Sequence, residues 1–136
     1  MPQVTLDLVT PEKLVLRREV DQACIPGILG EFGILAEHTP FVSILGVGTL
    51  TLFEGNKKEK FVINGGFAEV SRDRIIILTE TCEAAQKLDL DRAKKALAES
   101  SKAILELDAN SQEYQNQWQR AQRARARVEV AQSADL

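Results

Sequence analysis

Hydrophobic and polar residues alternate along much of the first part of the chain, as they do in strands with one buried face. Val4, Leu6 and Leu8 fall on one side of a predicted strand, while Thr5 and Asp7 fall on the other. The same alternation predicts further strands at 49–53, 60–64, 67–70 and 74–78, with turns at 54–57 and 71–73 and a bend at 65–66. Short strands at this spacing favour a β-sandwich or a β-barrel.

The last third of the chain has a helical period instead. Apolar residues spaced at about 100° per residue predict a first helix, with a stripe of Leu90, Ala93, Leu97, Ser100, Ile104 and Leu107. Asp89 is placed to cap this helix. A second helix is predicted over 111–130 after a capping box of Asn110 and Glu113, with a stripe of Tyr114, Trp118, Ala121, Arg125 and Val128. The short connection predicts an antiparallel pair.

The composition changes where the period changes. All eight glycines and all four prolines precede residue 67, whereas ten of the fifteen alanines follow residue 87. Glycine and proline interrupt strands with turns, and alanine has the highest helix propensity. We therefore predict a β domain over 1–87 and a helical hairpin over 88–136.

The stripes of the predicted hairpin consist largely of alanine. Small side chains bury little apolar area, which contributes ~25 cal/mol per Å², whereas ordering costs about 1.5 kcal/mol per residue. We therefore expect the hairpin to be marginal by itself and to need the β domain or a partner to complete its core. An element of this kind can occupy more than one position.

The overall charge argues against one large class of function. A net charge of −3 disfavours a general nucleic-acid binder, which needs a basic face. The sequence has no stretch that approaches the ~20 apolar residues that a membrane-spanning helix needs. The N-terminal residues do not resemble a signal peptide, so we expect a cytosolic location.

The chain offers little for catalysis or for metal binding, and no catalytic or metal-binding residues are predicted. Cys24 and Cys82 do not form a disulfide framework, and His38 is the single histidine. The glycine-rich segment 27–33 is not followed by the Lys-Ser/Thr pair of a phosphate-binding loop, so it indicates a turn between strands.

Three arginines on the second predicted helix lie on one face, at positions i, i+3 and i+7. They are Arg120, Arg123 and Arg127. One interpretation is a solvated face near the C-terminal end of the helix, where the helix dipole favours cations. The other is a docking surface for an acidic partner helix or for phosphate.

Several segments together resemble the epsilon subunit of F-type ATP synthases. Residues 26–40, PGILGEFGILAEHTP, are similar to the hallmark of that family, and residues 62–70, VINGGFAEV, are similar to its second hallmark. Residues 9–13 and 88–93 also fit, in the right order along nearly the whole chain.

The resemblance implies a ten-stranded β-sandwich followed by a two-helix hairpin. It also implies a non-catalytic subunit at the foot of the central rotor stalk, which helps to couple proton flow to ATP synthesis. The implied partners are the gamma subunit, the c-subunit ring and the alpha and beta subunits, without nucleic acid. In the family, helices extended along gamma inhibit ATP hydrolysis. The implied location is the cytoplasmic face of the bacterial plasma membrane, or a thylakoid membrane in a photosynthetic host.

The resemblance also implies roles for individual residues. Glu31 matches a position that meets the c ring, and His38 matches one close to gamma. The arginines at 120, 123 and 127 match a basic helix that faces the beta subunits.

The resemblance implies that no cofactor is required, although some members of the family bind ATP as a regulatory ligand. The matching residues here are Glu83, Leu88, Asp89, Arg92 and Ala93. Glu99 stands where binding members have an arginine, and its carboxylate would repel a triphosphate.

Two alternatives to a rotor subunit stay open at this point. One is a stand-alone ATP-sensing module whose hairpin closes over the nucleotide. The other is a small hydrolase, which the shortage of histidine and the lack of a nucleophile motif disfavour.

Overall fold

The computed structural model describes residues 2–133 and contains eight strands followed by two α-helices. The strands are β1 (Val4–Val9), β2 (Leu14–Val20), β3 (Gln22–Gly27), β4 (Gly30–Leu35), β5 (Phe41–Glu54), β6 (Lys57–Val70), β7 (Arg74–Leu78) and β8 (Cys82–Ala84). A single 3-10 turn, Ala85–Lys87, leads into the helices α1 (Leu90–Leu105) and α2 (Gln112–Ser133).

The strands form one sheet that folds over on itself. Its order is β2-β1-β7-β6-β5-β3-β4, with β8 also paired to β6; β1 and β7 are parallel, and the other neighbours are antiparallel. Strands far apart in this order nevertheless share one core, because Leu6 of β1 and Ile75 of β7 are buried in the same cluster as Ile25 of β3 and Ile34 of β4. The predicted fold class, a β-sandwich followed by two helices, is confirmed.

The predicted count of ten strands is wrong, since the described residues form eight. The difference lies in β5 and β6, each of which runs continuously for 14 residues. Residues 61–63 of β6 pair with β8, whereas residues 67–70 pair with β7. Between these segments Gly65 and Gly66 have positive φ angles of 69° and 111°, which glycine adopts without strain. A Cβ on Gly66 would also collide with the carbonyl oxygen of Leu78.

The helices form the predicted antiparallel pair, with one cap misplaced. The Asp89 carboxylate accepts a hydrogen bond from the backbone N–H of Arg92 at 3.1 Å, as the sequence predicts for an N-cap. The N-terminus of α2 is capped by Ser111, whose hydroxyl accepts from the N–H of Tyr114 at 3.1 Å. Asn110 was the predicted cap, but it lies one residue earlier in the connecting turn.

The buried face of α2 also differs from the predicted stripe. Arg125 is exposed, and Trp118 retains 46% of its accessible surface. The buried positions are Ala121, Ala124, Ala126 and Val130. The reason is that α2 packs against β5 and β6 as well as against α1, so its contact face is not a single stripe directed at one neighbour. The stripe of α1 is closer to its prediction, with Ala93 and Ser100 buried.

Candidate functional site

A cleft of about 440 Å³ opens where the two helices meet the end of the sheet. It is lined by Glu83, Lys87, Leu88, Asp89, Arg92, Ala93, Ala96, Arg120 and Arg127. The five residues that the sequence nominates for ATP binding therefore surround one space, together with two of the three nominated arginines. Glu99 is exposed on α1 and is not among the residues that line this cleft in the described part of the chain.

The cleft has more basic than acidic groups. One lysine and three arginines line it, against Glu83 and Asp89. Asp89 is already engaged as the cap of α1. An excess of cations beside the N-terminus of α1 is an arrangement that attracts a polyanion, since the helix dipole adds positive potential there.

One ion pair crosses the cleft and joins α2 to the sheet. The Arg127 guanidinium donates through Nε and Nη2 to the Glu83 carboxylate, and the shortest distance is 2.7 Å from Nη2 to Oε1. Both side chains are roughly one-third exposed, so solvent screens the pair in part. Arg120 is exposed, and Arg123 is partly buried outside this cleft. The three arginines therefore differ in their surroundings and do not form a single basic patch.

Beside this ion pair, a small apolar cluster holds α2 on the sheet. Ala126 and Val130 of α2 are buried against Val62 of β6 and Ala85. Two of these four side chains are alanines, so this contact buries far less apolar area than the sandwich core does.

A second candidate surface is an exposed apolar region on the outer face of the sheet, which we call the apolar sheet face. Ile44, Phe67 and Leu78 lie side by side on β5, β6 and β7, and each is about half exposed. Val42 lies on the same face, and Ile28 adjoins it through a hydrogen bond from its N–H to the Ile44 carbonyl at 3.0 Å. Contiguous exposed apolar side chains of this kind mark interaction sites.

Sequence reasoning did not identify this face, although a signal was present. Residues 74–78, RIIIL, carry large apolar side chains on consecutive positions, so both faces of that strand are hydrophobic. A strand with only one buried face alternates instead. Such a run therefore indicates either burial on both faces or an exposed contact surface.

The two residues nominated for the c ring and gamma occupy different surroundings. Glu31 is exposed on β4 opposite Pro26, and it lines a shallow groove with Cys24 and Lys58. The His38 ring packs edge-on against Phe41, with ring centroids 5.3 Å apart, and its Nδ1 lies 2.9 Å from the Thr39 carbonyl oxygen. No contact between Glu31 and His38 is found among the described residues.

The two cysteines have thiols that favour the protonated form. Burial raises the pKa of the Cys82 thiol to about 11, and it also raises the pKa of Cys24. Because the thiolate is the reactive species, neither residue is activated as a nucleophile.

Within residues 2–133, no helix is both long enough and apolar enough to cross a membrane.

Comparison with known proteins places these features in a family. Residues 3–85 match the model of the ATP synthase delta/epsilon chain β-sandwich domain. The ATP synthase epsilon chain of Anaeromyxobacter sp. (strain K) is 41% identical over 128 residues, which cover 94% of this chain and 97% of that one.

Solved structures agree with this assignment. A chain in the Euglena gracilis mitochondrial ATP synthase OSCP/F1/c-ring structure matches with a TM-score of 0.75 and 26% identity, over 99% of this chain and 81% of that one. A chain of the Tetrahymena thermophila mitochondrial ATP synthase central stalk and c ring has the same fold, with a TM-score of 0.69 at 17% identity over 94% and 96%. With its sandwich matched by the family model and nearly its whole length matched by curated relatives, the chain belongs to the family of ATP synthase epsilon chains.

Proposed function

We propose that this chain is a central-stalk subunit that joins gamma to the c-subunit ring and helps to couple proton flow to ATP synthesis. In this proposal the sandwich is the fixed part of the subunit and is in contact with the rotor. The α1–α2 hairpin is the movable part, and it inhibits ATP hydrolysis when it leaves the sheet and extends towards the alpha and beta subunits. The subunit would lie at the cytoplasmic face of a bacterial plasma membrane, or at a thylakoid membrane, held there through its complex.

The observation that carries this proposal is the weak attachment of the hairpin. The sandwich has its own core, whereas the contact of α2 with the sheet includes a cluster of four buried residues, with Val47 and Leu88 packed against it, and a partly exposed ion pair. A contact of this size can be exchanged for another without unfolding the sandwich. The apolar sheet face supports the other half of the proposal, because it supplies a surface that a permanent partner such as gamma would cover.

The positions of the three arginines of α2 are compatible with a hairpin that exchanges the sheet for another binding partner. Arg127 pairs with Glu83 in the docked arrangement, so a contact between Arg127 and an acidic segment of the beta subunits requires this pair to open. Arg120 is already exposed, whereas Arg123 is partly buried and gains accessibility when the hairpin is released. Membership of a family of complex subunits disfavours the stand-alone sensor.

The test is removal of residues 88–136 in the assembled ATP synthase. The truncated subunit should still bind the complex, and ATP hydrolysis should rise because the inhibitory element is gone. A complex that contains the truncated subunit and hydrolyses ATP at the wild-type rate would contradict the proposed inhibition.

A substitution test leaves the hairpin in place. Replacing Arg120, Arg123 and Arg127 by alanine should weaken inhibition of hydrolysis. The matched control replaces three exposed cations of α1, Lys94, Lys95 and Lys102, by alanine, and it should leave inhibition unchanged. If the arginine and lysine variants weaken inhibition equally, the strength of inhibition depends on net charge and not on these arginines.

ATP as a regulatory ligand is a separate part of the proposal, and the cleft favours it. Glu83, Leu88, Asp89, Arg92 and Ala93 line one basic space, and a triphosphate there would compete with Glu83 for Arg127. Isothermal titration with millimolar MgATP should give heat of binding. Arg92→Gln should abolish that heat, whereas Lys95→Gln, one turn further along α1, should not. No heat with the wild-type chain would show that ATP is not a ligand.

A further inference from the structure

A buried carboxylate lies under two exposed arginines on the outer face of the sheet. Asp7 of β1 accepts a hydrogen bond from Arg17 Nε on Oδ1 at 2.7 Å and one from Arg17 Nη2 on Oδ2 at 3.2 Å. Arg74 Nη2 donates to Oδ2 at 2.5 Å from the other side. We call these three residues the Asp7 cluster.

The accessible part of this cluster is cationic. The Asp7 side chain is 6% exposed, whereas those of Arg17 and Arg74 are 58% and 45% exposed. One carboxylate balances only one of the two guanidinium groups, so the cluster carries a net positive charge. Hydrogen bonds from Arg17 and Arg74 lower the pKa of Asp7 to about 2, so the carboxylate is ionised at neutral pH.

The strand register places the Asp7 cluster beside the apolar sheet face. Asp7 is paired with Ile76 of β7, and the residues that follow on the same face, Val9 and Leu78, are paired with each other. Residues two positions apart on a strand are about 7 Å apart. A protein that covers Leu78 and Phe67 therefore also reaches the two arginines.

Three acidic side chains on or beside this face limit where a partner can place its charges, and one of them, Glu80, lines a groove with Phe67 and Leu78. Glu19 lies opposite Thr5, and Glu69 lies opposite Ile76. Both are exposed. An incoming carboxylate is therefore favoured between Arg17 and Arg74 and disfavoured at the three acidic side chains, so the face carries a charge pattern and not merely a hydrophobic surface.

If the cluster served only to stabilise the fold, one arginine would be enough to neutralise the buried carboxylate of Asp7. The second arginine adds a cation whose charge no group of the cluster balances. Because both guanidiniums are already held by Asp7, they have lost part of their side-chain freedom before a partner arrives, which lowers the entropic penalty of a new contact. A guanidinium also matches a carboxylate in shape and donor spacing better than a lysine does.

We propose that the Asp7 cluster is a preformed receptor for one acidic side chain, Asp or Glu, of the gamma subunit docked on the apolar sheet face. This inference rests on the proposed function, since it assumes that gamma is the protein that covers that face. The cluster fixes the orientation of the docked partner, and the apolar face supplies most of the buried area.

The experiment measures binding of the full chain to an alpha–beta–gamma complex that lacks it, over a range of NaCl concentrations. Arg17→Gln and Arg74→Gln should each weaken binding about tenfold, as expected for the loss of one charge-assisted hydrogen bond. Each should also flatten the dependence of affinity on salt. Each variant keeps one arginine on Asp7, so thermal melting of the free chain should stay cooperative.

Three further variants serve as controls. Arg74→Lys keeps the charge and should keep most of the salt dependence. Lys57→Gln removes an exposed cation on the β5–β6 hairpin and should leave affinity unchanged. Glu69→Gln removes an exposed acid on the same face and should not weaken binding.

The outcomes separate the two proposals. If the wild-type chain does not bind the complex, the proposed function fails. If it binds and Phe67→Ser weakens binding, but both arginine variants bind as tightly as the wild type at every salt concentration, the Asp7 cluster is only structural. If the two arginine variants lose affinity for isolated c rings but not for the complex that contains gamma, the acidic side chain belongs to the c ring. That result would overturn the inference for gamma.

Discussion

Asp7 shows how a single residue can satisfy the pattern of a strand and still behave unlike its neighbours. It occupies a polar position in the alternation of β1, yet it is as inaccessible as many core residues. Its burial is tolerated because Arg17 and Arg74 replace the water that would otherwise solvate the carboxylate. A local pattern does not predict this, because Arg74 is 67 positions away in the sequence.

The lowered pKa of Asp7 gives a prediction for acid stability. The pKa is about 2 in the folded chain, against an ordinary value of 3.8. The stabilisation is therefore complete above the ordinary value and is lost as the pH falls towards 2. Solvent screening at the half-exposed arginines reduces it to about 1 kcal/mol.

Urea unfolding at pH 5 and at pH 2 measures this effect. Asp7→Asn should lower the free energy of unfolding at pH 5 and should lose less stability than the wild type on going to pH 2. Asp73→Asn, an exposed acid in the turn before β7, is the matched control and should follow the wild type. Parallel pH dependence of all three chains would rule out the role of Asp7.

Residues with local partners were predicted better. Asp89 was identified as a cap because its partner is only three residues away. The choice between Asn110 and Ser111 failed because both can cap a helix, and the path of the turn between the helices decides which side chain reaches Tyr114. The clustering of Glu83 with 88–93 and Arg127 could not be predicted from spacing, since it requires α2 to lie on the sheet.

At the scale of elements, α2 is the helix whose attachment matters most. It joins the other helix to the sheet, and its contacts with β6 combine small apolar side chains with the Glu83–Arg127 pair. The sequence predicted the helix and its antiparallel partner from the 3.6-residue period. It did not predict the buried face, because a helix with two neighbours does not need a single apolar stripe.

Weakening the Glu83–Arg127 pair should shift the hairpin towards its released state. Glu83→Gln removes the charge while keeping a similar shape, and a partly exposed pair contributes about 1 kcal/mol. Opening of the contact between α2 and the sheet should therefore increase about fivefold. Hydrogen exchange at the backbone amides of residues 120–130 measures this change.

Glu99→Gln is the control for that measurement, because Glu99 is an exposed acid on α1 that does not line the cleft. It should leave the exchange of α2 unchanged. If Glu83→Gln also leaves it unchanged, the ion pair does not hold the hairpin on the sheet.

The strand predictions were correct for the regions of β1, β5, β6 and β7, whereas β2, β3, β4 and β8 were not predicted from alternation. Alternation predicted the region of each long strand, and the turn at 54–57 falls between β5 and β6 as expected. The family pattern of ten strands overcounts here because β5 and β6 remain continuous through the glycine bend. Hydrogen bonding across the whole sheet decides that continuity, and no short window of sequence contains it.

At the scale of the whole molecule, the main feature is that the buried apolar residues form two separate clusters. The members of the sandwich core cluster span Val4 to Ile77, and none of them comes from α1 or α2. The second cluster, centred on Val62 and Val130, lies between the sheet and α2. The sandwich therefore has the interior of an independent folding unit, whereas the hairpin completes its burial only on the sheet.

A fragment of residues 1–87 should consequently fold by itself. Its thermal unfolding, followed by circular dichroism in the β region, should be cooperative. The midpoint should lie a few degrees below that of the full chain, because the small apolar contact around Val62 and the Glu83–Arg127 ion pair are lost. A fragment that shows no cooperative transition would mean that the hairpin is part of the folding unit. In that case the truncation in the assembled enzyme would have to be replaced by a substitution that releases the hairpin from the sheet.

The continuity of β5 and β6 has a mechanical consequence. Each is a single covalent path of 14 residues, and the ladder between them extends from Phe41 paired with Val70 to Glu54 paired with Lys57. A torque that twists one layer of the sandwich against the other acts along this ladder and loads many hydrogen bonds together in shear, instead of peeling them apart singly. In the role proposed above, between the c-subunit ring and gamma, that geometry would make the sandwich a stiff coupling and would leave elastic compliance to the parts it joins.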